Sequence, residues 1–338
     1  MKLKIHSLTA LLAAVLLTLV NCEAKTRNLK VLYWNIQNGM WADQGNDYDN
    51  FVDFVIEQNP DICVWAEAES RYRTDTSVKM AGCEEAYLPY NWDLLARRYG
   101  HQYVCIAGKR DTFPQVVTSK YPLRIVKRIN GNGDDIVVVH GAGHVEVDVN
   151  GEKINIVTVH TYPFKYAYMA EDQKASAAEN GGDVFRAAEM KYICEQTILE
   201  QDPEGKGNWM MVGDFNAVSR VDNWHLGRPD DDKAFLLNDY IRSQTPYVDL
   251  IEKWYPGEYQ NSTFSGRRID FVYLTEPLFE KVKDDSSDKE EEIRIRSKNG
   301  GYSWFNICVS TIKGEHGTTT RAIGRMADIT RQRSDTAR

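Results

Sequence analysis

Short apolar runs that stop at a polar side chain constrain this chain more than any other feature of its sequence. Leu29–Ile36, Ile62–Ala66, Ile136–Val139, Ile154–His160, Trp209–Gly213 and Ile269–Leu274 are rich in β-branched and aromatic residues and short enough to be buried strands. Between them, Asn50–Gln58 and Ala187–Leu199 read as helices. The segment Val145-Glu-Val-Asp-Val-Asn-Gly-Glu-Lys-Ile-Asn-Ile-Val alternates on both sides of Asn150-Gly151, which predicts a hairpin. A hairpin among strand–helix alternations predicts an α/β protein with antiparallel pairing, not a purely parallel sheet. The body contains no internal repeat and no linker long enough to divide it.

What ends these runs is chemically selective. Tyr33-Trp-Asn35 closes one run with an amide, and Asp61-Ile-Cys-Val-Trp-Ala-Glu67 closes another with a carboxylate. Val157-Thr-Val-His160 ends in an imidazole, and Gly213-Asp-Phe-Asn216 places a carboxylate and an amide two residues apart. Asp270 enters an otherwise apolar strand. Polar groups at the ends of sheet strands can gather in one cleft, and buried carboxylates need a cation or a donor beside them. Each residue alone has a plainer reading. Asn35 caps a turn, His160 sits in the core, Glu67 pairs with Arg71, Gly-Asp-Phe-Asn is a turn, and Asp270 is bridged by Arg267 or Arg268. Their joint occurrence favours the cleft.

In this order, Trp34-Asn35-Ile36, Asp61 to Glu67, Ser119-Lys-Tyr-Pro122-Leu, His160, Gly213-Asp-Phe-Asn216-Ala and Arg268-Ile-Asp270-Phe resemble the endonuclease/exonuclease/phosphatase superfamily. The resemblance runs from about Leu29 to Leu274. It implies a four-layer α/β sandwich, two mixed β-sheets packed face to face with helices outside, and a site at one end. It further implies that Glu67 is the principal ligand of Mg (or Mn), with Asn35 beside it. His160 would bind the scissile phosphate. Asp214 would polarise the attacking water or hold a second metal, and Asn216 would orient that water or the phosphate. Asp270 would orient a later histidine. Asn38, Arg71, His225 and Arg268, close to these residues in sequence, are the expected substrate contacts.

The C-terminal end departs from the pattern. Members close with Ser-Asp-His-x-Pro, which this chain lacks, and the only histidine after Asp270 is His316, in Gly314-Glu-His-Gly. Glu315 and His316 are the candidates for the missing metal ligand and catalytic histidine. The Thr- and Arg-rich stretch that follows reads as a poorly packed tail. His140 and His144, in His-Gly-Ala-Gly-His, suggest a metal pair. Without a third ligand nearby, they read instead as a surface loop. Walker, Rossmann and H-E-x-x-H signatures are absent.

Met1 to Val20 combines a basic start with an apolar run that matches an export signal and falls short of a comfortable membrane span. Leu19-Val-Asn-Cys22 resembles a bacterial lipobox, with Asn21 a departure from the usual small residue. Lipid attachment at Cys22 and a place at the bacterial cell envelope are therefore expected, or secretion if Cys22 is not used. The expected divisions are a signal over 1–21, a tether over 22–28, a catalytic domain over 29–316 and the atypical tail over 317–338. The remaining cysteines lack zinc-ligand spacing.

With 41 basic and 49 acidic residues, the chain is acidic (formal charge −8). That argues against tight non-specific binding of polyanions while leaving room for a local basic cleft. The sequence thus points to a metal-dependent phosphoester hydrolase, a phosphodiesterase by preference. The alternatives are a non-specific extracellular nuclease and, in a different class, an inactive phosphate-binding protein with a degenerate Asp-His end. Small, lipid-linked and nucleic-acid phosphoesters all stay open as substrates. No feature points to a protein partner.

Overall fold

The computed structural model describes residues 29–69, 91–109, 113–179, 181–263 and 265–283, together with the strand backbone of 291–296, 302–313 and 319–328. The leader, Cys22, Arg71, Glu315 and His316 lie outside the described residues.

The strands in chain order are β1 (Lys30–Asn35), β2 (Ile62–Ala66), β3 (Tyr103–Ile106), β4 (Val116–Ser119), β5 (Leu123–Gly131), β6 (Val137–Val149), β7 (Glu152–His160), β8 (Trp209–Asp214), β9 (Tyr247–Asp249), β10 (Asp270–Thr275), β11 (Val282–Lys283), β12 (Glu291–Arg296), β13 (Tyr302–Lys313) and β14 (Thr319–Asp328). They form two mixed sheets. One is eight-stranded, with order β11-β13-β14-β1-β2-β4-β3 and β12 added on β13. The other is six-stranded, with order β5-β6-β7-β8-β10-β9.

Period-two alternation explains why the runs looked continuously apolar: both faces of the central strands are covered. On β2, Ile62 and Val64 join Val145, Ile156, Met210, Val212, Val272 and Leu274 in a core between the sheets. Cys63 and Trp65, one residue out of phase, pack on the other side against Phe51, Val55, Trp92 and Leu95. The second sheet does the same. Val157, Val159, Met211, Phe271 and Tyr273 meet Met190, Ile193, Leu237 and Ile241. Helix, sheet, sheet and helix are therefore stacked in four layers.

The helices follow from the same logic. Helix α1 (Asp49–Gln58) buries Phe51, Val52, Val55 and Gln58, one stripe at helical spacing. Asp43 Oδ2 accepts the Phe51 N–H at 2.9 Å at its start. Asn59, left-handed at φ 45°, ends it just before Pro60. Helix α2 (Trp92–Arg98) is capped by Asn91. Helix α3 (Gly182–Glu195) turns Arg186, Glu189, Met190, Ile193 and Cys194 inward, and α4 (Leu236–Gln244) packs beside it. Gly182 is required where α3 begins, because a Cβ there would lie 1.8 Å from the Phe164 carbonyl oxygen.

The hairpin forms at Asn150-Gly151, both at positive φ, with Val149 opposite Glu152. Its first arm is longer than the alternation suggests, since β6 starts at Val137. His140 and His144 therefore lie on a strand and are 6% and 1% exposed, which corrects the surface-loop reading. Where a loose tail was expected, Thr319–Asp328 runs as a strand between β13 and β1, parallel to β1. Ladder bonds are made by backbone groups, and Thr and Ile suit extended chain, so a strand can form there without the apolar periodicity of a core. Cys63 and Cys194 are buried free thiols and Cys105 is half-buried, with all three thiol pKa values pushed up by burial.

Candidate functional site

Strand register assembles the site. In the six-stranded sheet, His160 on β7 and Asp270 on β10 are both register partners of Asp214 on β8. Imidazole, carboxylate and carboxylate thus lie in one row across three strands. β7 and β8 are parallel and contribute their C-terminal ends, while antiparallel β10 contributes its first residue. Gly213 permits this close packing, because a Cβ there would fall 1.8 Å from the Val159 carbonyl oxygen.

The eight-stranded sheet brings Asn35 and Glu67 to the same end, at the last residue of β1 and just past β2. Three hydrogen bonds then join these residues, two of them across the sheets. Asn35 Nδ2 donates to Asp214 Oδ2 at 3.1 Å and to Glu67 Oε1 at 3.3 Å. Tyr33 Oη donates to Asp270 Oδ1 at 2.6 Å. Glu67 adopts φ 52°, an uncommon conformation for a side chain of this kind. Its carboxylate is fixed by the Asn38 N–H at 2.9 Å, and its carbonyl oxygen by the Gly39 N–H at 2.6 Å. Asn216, also left-handed at φ 46°, donates its backbone N–H to Asp214 Oδ1 at 2.9 Å and its Nδ2 to the Thr161 carbonyl at 3.0 Å.

Charge is concentrated here. Burial, then the neighbouring Glu67 carboxylate, pushes Asp214 up to about 7 against the Asn216 N–H and the Asn35 amide. Burial, then Asp214, holds Asp270 well above the usual carboxylate range, despite donation by Tyr33 and Ser262. Burial, followed by Asp270, raises the Tyr33 phenol in turn. Carboxylates pushed towards their neutral form by nearby negative charge are what a cation would relieve.

The donor chemistry fits a hard divalent ion. Glu67, Asn35 and Asn38 offer oxygen ligands, and Asn38 Oδ1 is buried with no hydrogen-bond partner among the described residues. A closed protein cage is not what they make, since no three His, Cys, Asp or Glu side chains cluster for a metal among the described residues. An ion here would keep open positions for water or substrate, as magnesium commonly does.

His160 is 4% exposed, with Nδ1 3.4 Å from the Phe113 carbonyl oxygen. Its ring stacks on His140, with centroids 4.5 Å apart and planes 23° from parallel, and Phe113 stands edge-on to both. Sequence reasoning did not place His140 or Tyr33 in the site. The signal for His140 was the apolar run Ile136–Val139 stopping at an imidazole, the same pattern that marked His160. Tyr33 carried no such signal, because its hydroxyl is distinguished only by what lies across from it.

Of the expected substrate contacts, Asn38 is at the site. Arg268 is not available for that role. It is 2% exposed, and its guanidinium bridges Asp222 and Asp249 and lies over Phe271. The sequence favoured the cleft because Arg268 is two residues from Asp270, but a buried guanidinium is held by buried carboxylates. Arg268 does not bridge Asp270 either, whose partners are Tyr33 and Ser262, and exposed Arg267 donates its Nε to Ser265 Oγ at 3.3 Å. His225 is exposed and lies flat on Tyr259, with centroids 3.9 Å apart.

Residues 32–290 match the Endonuclease/Exonuclease/phosphatase family. The chain belongs to that family. Its members are phosphoester hydrolases. Sphingomyelinase C of Leptospira interrogans is 24% identical over 245 residues, covering 70% of this chain and 40% of that protein. The chain thus spans about two fifths of the length of this relative. An AP endonuclease from Archaeoglobus fulgidus is similar in structure, with a TM-score of 0.49 and 15% identity over 76% of this chain and 90% of its own. The 3′ phosphatase NExo from Neisseria, solved with a product DNA hairpin, has a TM-score of 0.46 and 14% identity over 76% and 90% of the two chains.

Proposed function

We propose that this family member is a divalent-metal-dependent phosphodiesterase acting on a small or lipid-linked phosphodiester. The observation that carries the reading is the convergence of Asn35 and Glu67 from one sheet with His160, Asp214 and Asp270 from the other, joined through Asn35 and Tyr33. Glu67, with Asn35 and Asn38, would hold Mg or Mn. Bound there, the ion would supply positive charge against the phosphate oxygens.

The remaining work falls to the chain's own side chains. His160 donates to a non-bridging phosphate oxygen, where negative charge grows during attack. Asp214 takes the proton of the attacking water as its oxygen bonds to phosphorus, and a carboxyl lifted to about 7 is well matched to that task near neutral pH. Asn216 locks the Asp214 carboxylate through its backbone N–H. The ester oxygen leaves with the bonding pair and takes a proton from a catalytic histidine, a place for which His316 is the candidate.

The acidic balance of the chain supports a small or lipid-linked substrate over long nucleic acid. So does the stretch shared with Sphingomyelinase C, which favours a lipid headgroup diester. Export with lipid attachment at Cys22 would place the enzyme at an envelope surface. Loss of palmitate labelling in Cys22→Ala tests that placement.

The deciding assay offers bis-(p-nitrophenyl) phosphate, sphingomyelin vesicles and plasmid DNA with magnesium, manganese or EDTA, alongside Asp214→Ala. Cleavage of the chromogenic diester that needs metal and Asp214 is expected. Plasmid degradation at moderate salt without vesicle hydrolysis would favour a nuclease. Phosphate-ligand binding without turnover would favour the inactive phosphate-binding protein.

A further inference from the structure

The β6–β7 ladder keeps its register from Val149 opposite Glu152 to Gly143 opposite Thr158 and goes no further. Both strands continue, β6 back to Val137 and β7 on to His160. In the same register Gly141 would face His160. Instead Gly141 stands at φ +69°, where a Cβ would lie 2.4 Å from the Lys109 backbone nitrogen. The strands part where they carry the stacked imidazoles.

A helix side chain fills the gap. Glu189, on α3, is 1% exposed. Its Oε1 accepts the Val139 N–H at 2.8 Å, and its Oε2 accepts the Tyr162 N–H at 3.0 Å. Val139 immediately precedes His140, and Tyr162 follows His160 by two residues. Each oxygen of one carboxylate therefore holds the chain beside one ring. Arg186, one turn earlier, takes the carbonyls of Tyr162 and Phe164 at 2.9 and 2.8 Å. Gln115 Nε2 holds the His140 carbonyl at 3.3 Å.

We infer that Glu189 is the positioning residue of the site: its carboxylate sets the separation of β6 and β7 and thereby keeps His140 and His160 face to face as one phosphate-binding pair. The role of the pair rests on the phosphodiesterase reading, whereas its geometry does not. Two converging N–H groups require a group that only accepts. A carboxylate meets both, but an amide of the same shape meets one and presents its own N–H to the other.

Glu189→Gln tests this. With metal and bis-(p-nitrophenyl) phosphate, kcat should fall on the order of 100-fold while KM changes little, because the pair acts where charge develops. The imidazole NMR resonances of both His140 and His160 should move. A folded Glu189→Gln protein with wild-type kcat and unmoved resonances would overturn the inference. Should that variant not fold, Glu189→Asp, which keeps both acceptors but shortens their reach, should show the same split at smaller size. Wild-type kcat and resonances there would overturn it equally. If the wild type has no turnover, the phosphodiesterase reading fails on its own, and the resonances still decide whether Glu189 sets the pair.

Discussion

Asn35 and Asp214 belong to different sheets, yet the Asn35 amide donates to the Asp214 carboxylate at 3.1 Å. The same nitrogen reaches Glu67 Oε1 at 3.3 Å. One neutral side chain thus separates two carboxylates, and its oxygen is fixed by the Gln37 N–H at 3.0 Å. The site depends on this amide at the seam of the sandwich.

Asn35→Ala removes a hydrogen bond to a buried carboxylate, a contribution of about 1.5–3 kcal/mol. The expected result is a fall in kcat/KM on the order of 10- to 100-fold. Asn35→Asp should be worse despite its similar shape, because it adds a like charge beside Asp214 and Glu67. Steady-state kinetics of both variants at saturating magnesium check the order.

The pH dependence of stability has a definite sign. Asp214 is lifted to about 7 from an ordinary value of about 4, so the folded protein holds this proton more tightly than the unfolded chain. Its stabilising contribution is complete below about pH 4 and is lost as pH rises to about 7. Metal-free protein should therefore have a lower Tm at pH 8 than at pH 5, and Asp214→Asn should flatten part of the slope. Magnesium should raise Tm more at pH 8, where Asp214 beside the site is ionised and adds to the negative charge the ion meets. A flat Tm between pH 5 and 8 without metal would contradict this electrostatic account.

Arg268 separates a structural role from a substrate role. Arg268→Met leaves Asp222 and Asp249 buried without their cation, which destabilises by about 3–5 kcal/mol. Asp249 also caps a short helix through the Ile251 and Glu252 N–H groups, so the loss extends beyond one pair. Denaturant melts should register that drop, while kcat/KM per folded molecule stays near wild type. A selective rise in KM would instead restore Arg268 to the substrate.

The stacked histidines should be unequal. His160→Ala should lower kcat on the order of 100- to 1000-fold, as expected for loss of a preorganised donor at the phosphate. His140→Phe keeps a ring against His160 but removes the second imidazole, and a smaller fall of about 10-fold is expected. Equal loss in both variants would show that the two rings contribute alike.

The sandwich was legible because local pattern and buried environment agree. Runs such as Ile62–Ala66 and Trp209–Gly213 are apolar on both faces, as central strands covered on both sides must be, and Asn150-Gly151 has the backbone freedom that a tight hairpin needs. Arg268 misled the reading because proximity to Asp270 in sequence does not say which way a side chain's charge is satisfied. Thr319–Asp328 misled it because ladder pairing asks little of side chains.

By itself, the sequence determined which residue types end the strands, and therefore that carboxylates, amides and an imidazole would gather at one end of a layered α/β protein. Only the tertiary structure decided which of them meet. Asn35 bridges to Asp214, Tyr33 to Asp270, and His140 stacks on His160 through strands held by Glu189. These partners are far apart along the chain, and hydrogen bonds and stacking act over a few ångströms. Register and sheet packing fix such distances, whereas local sequence periodicity fixes only which face a residue takes.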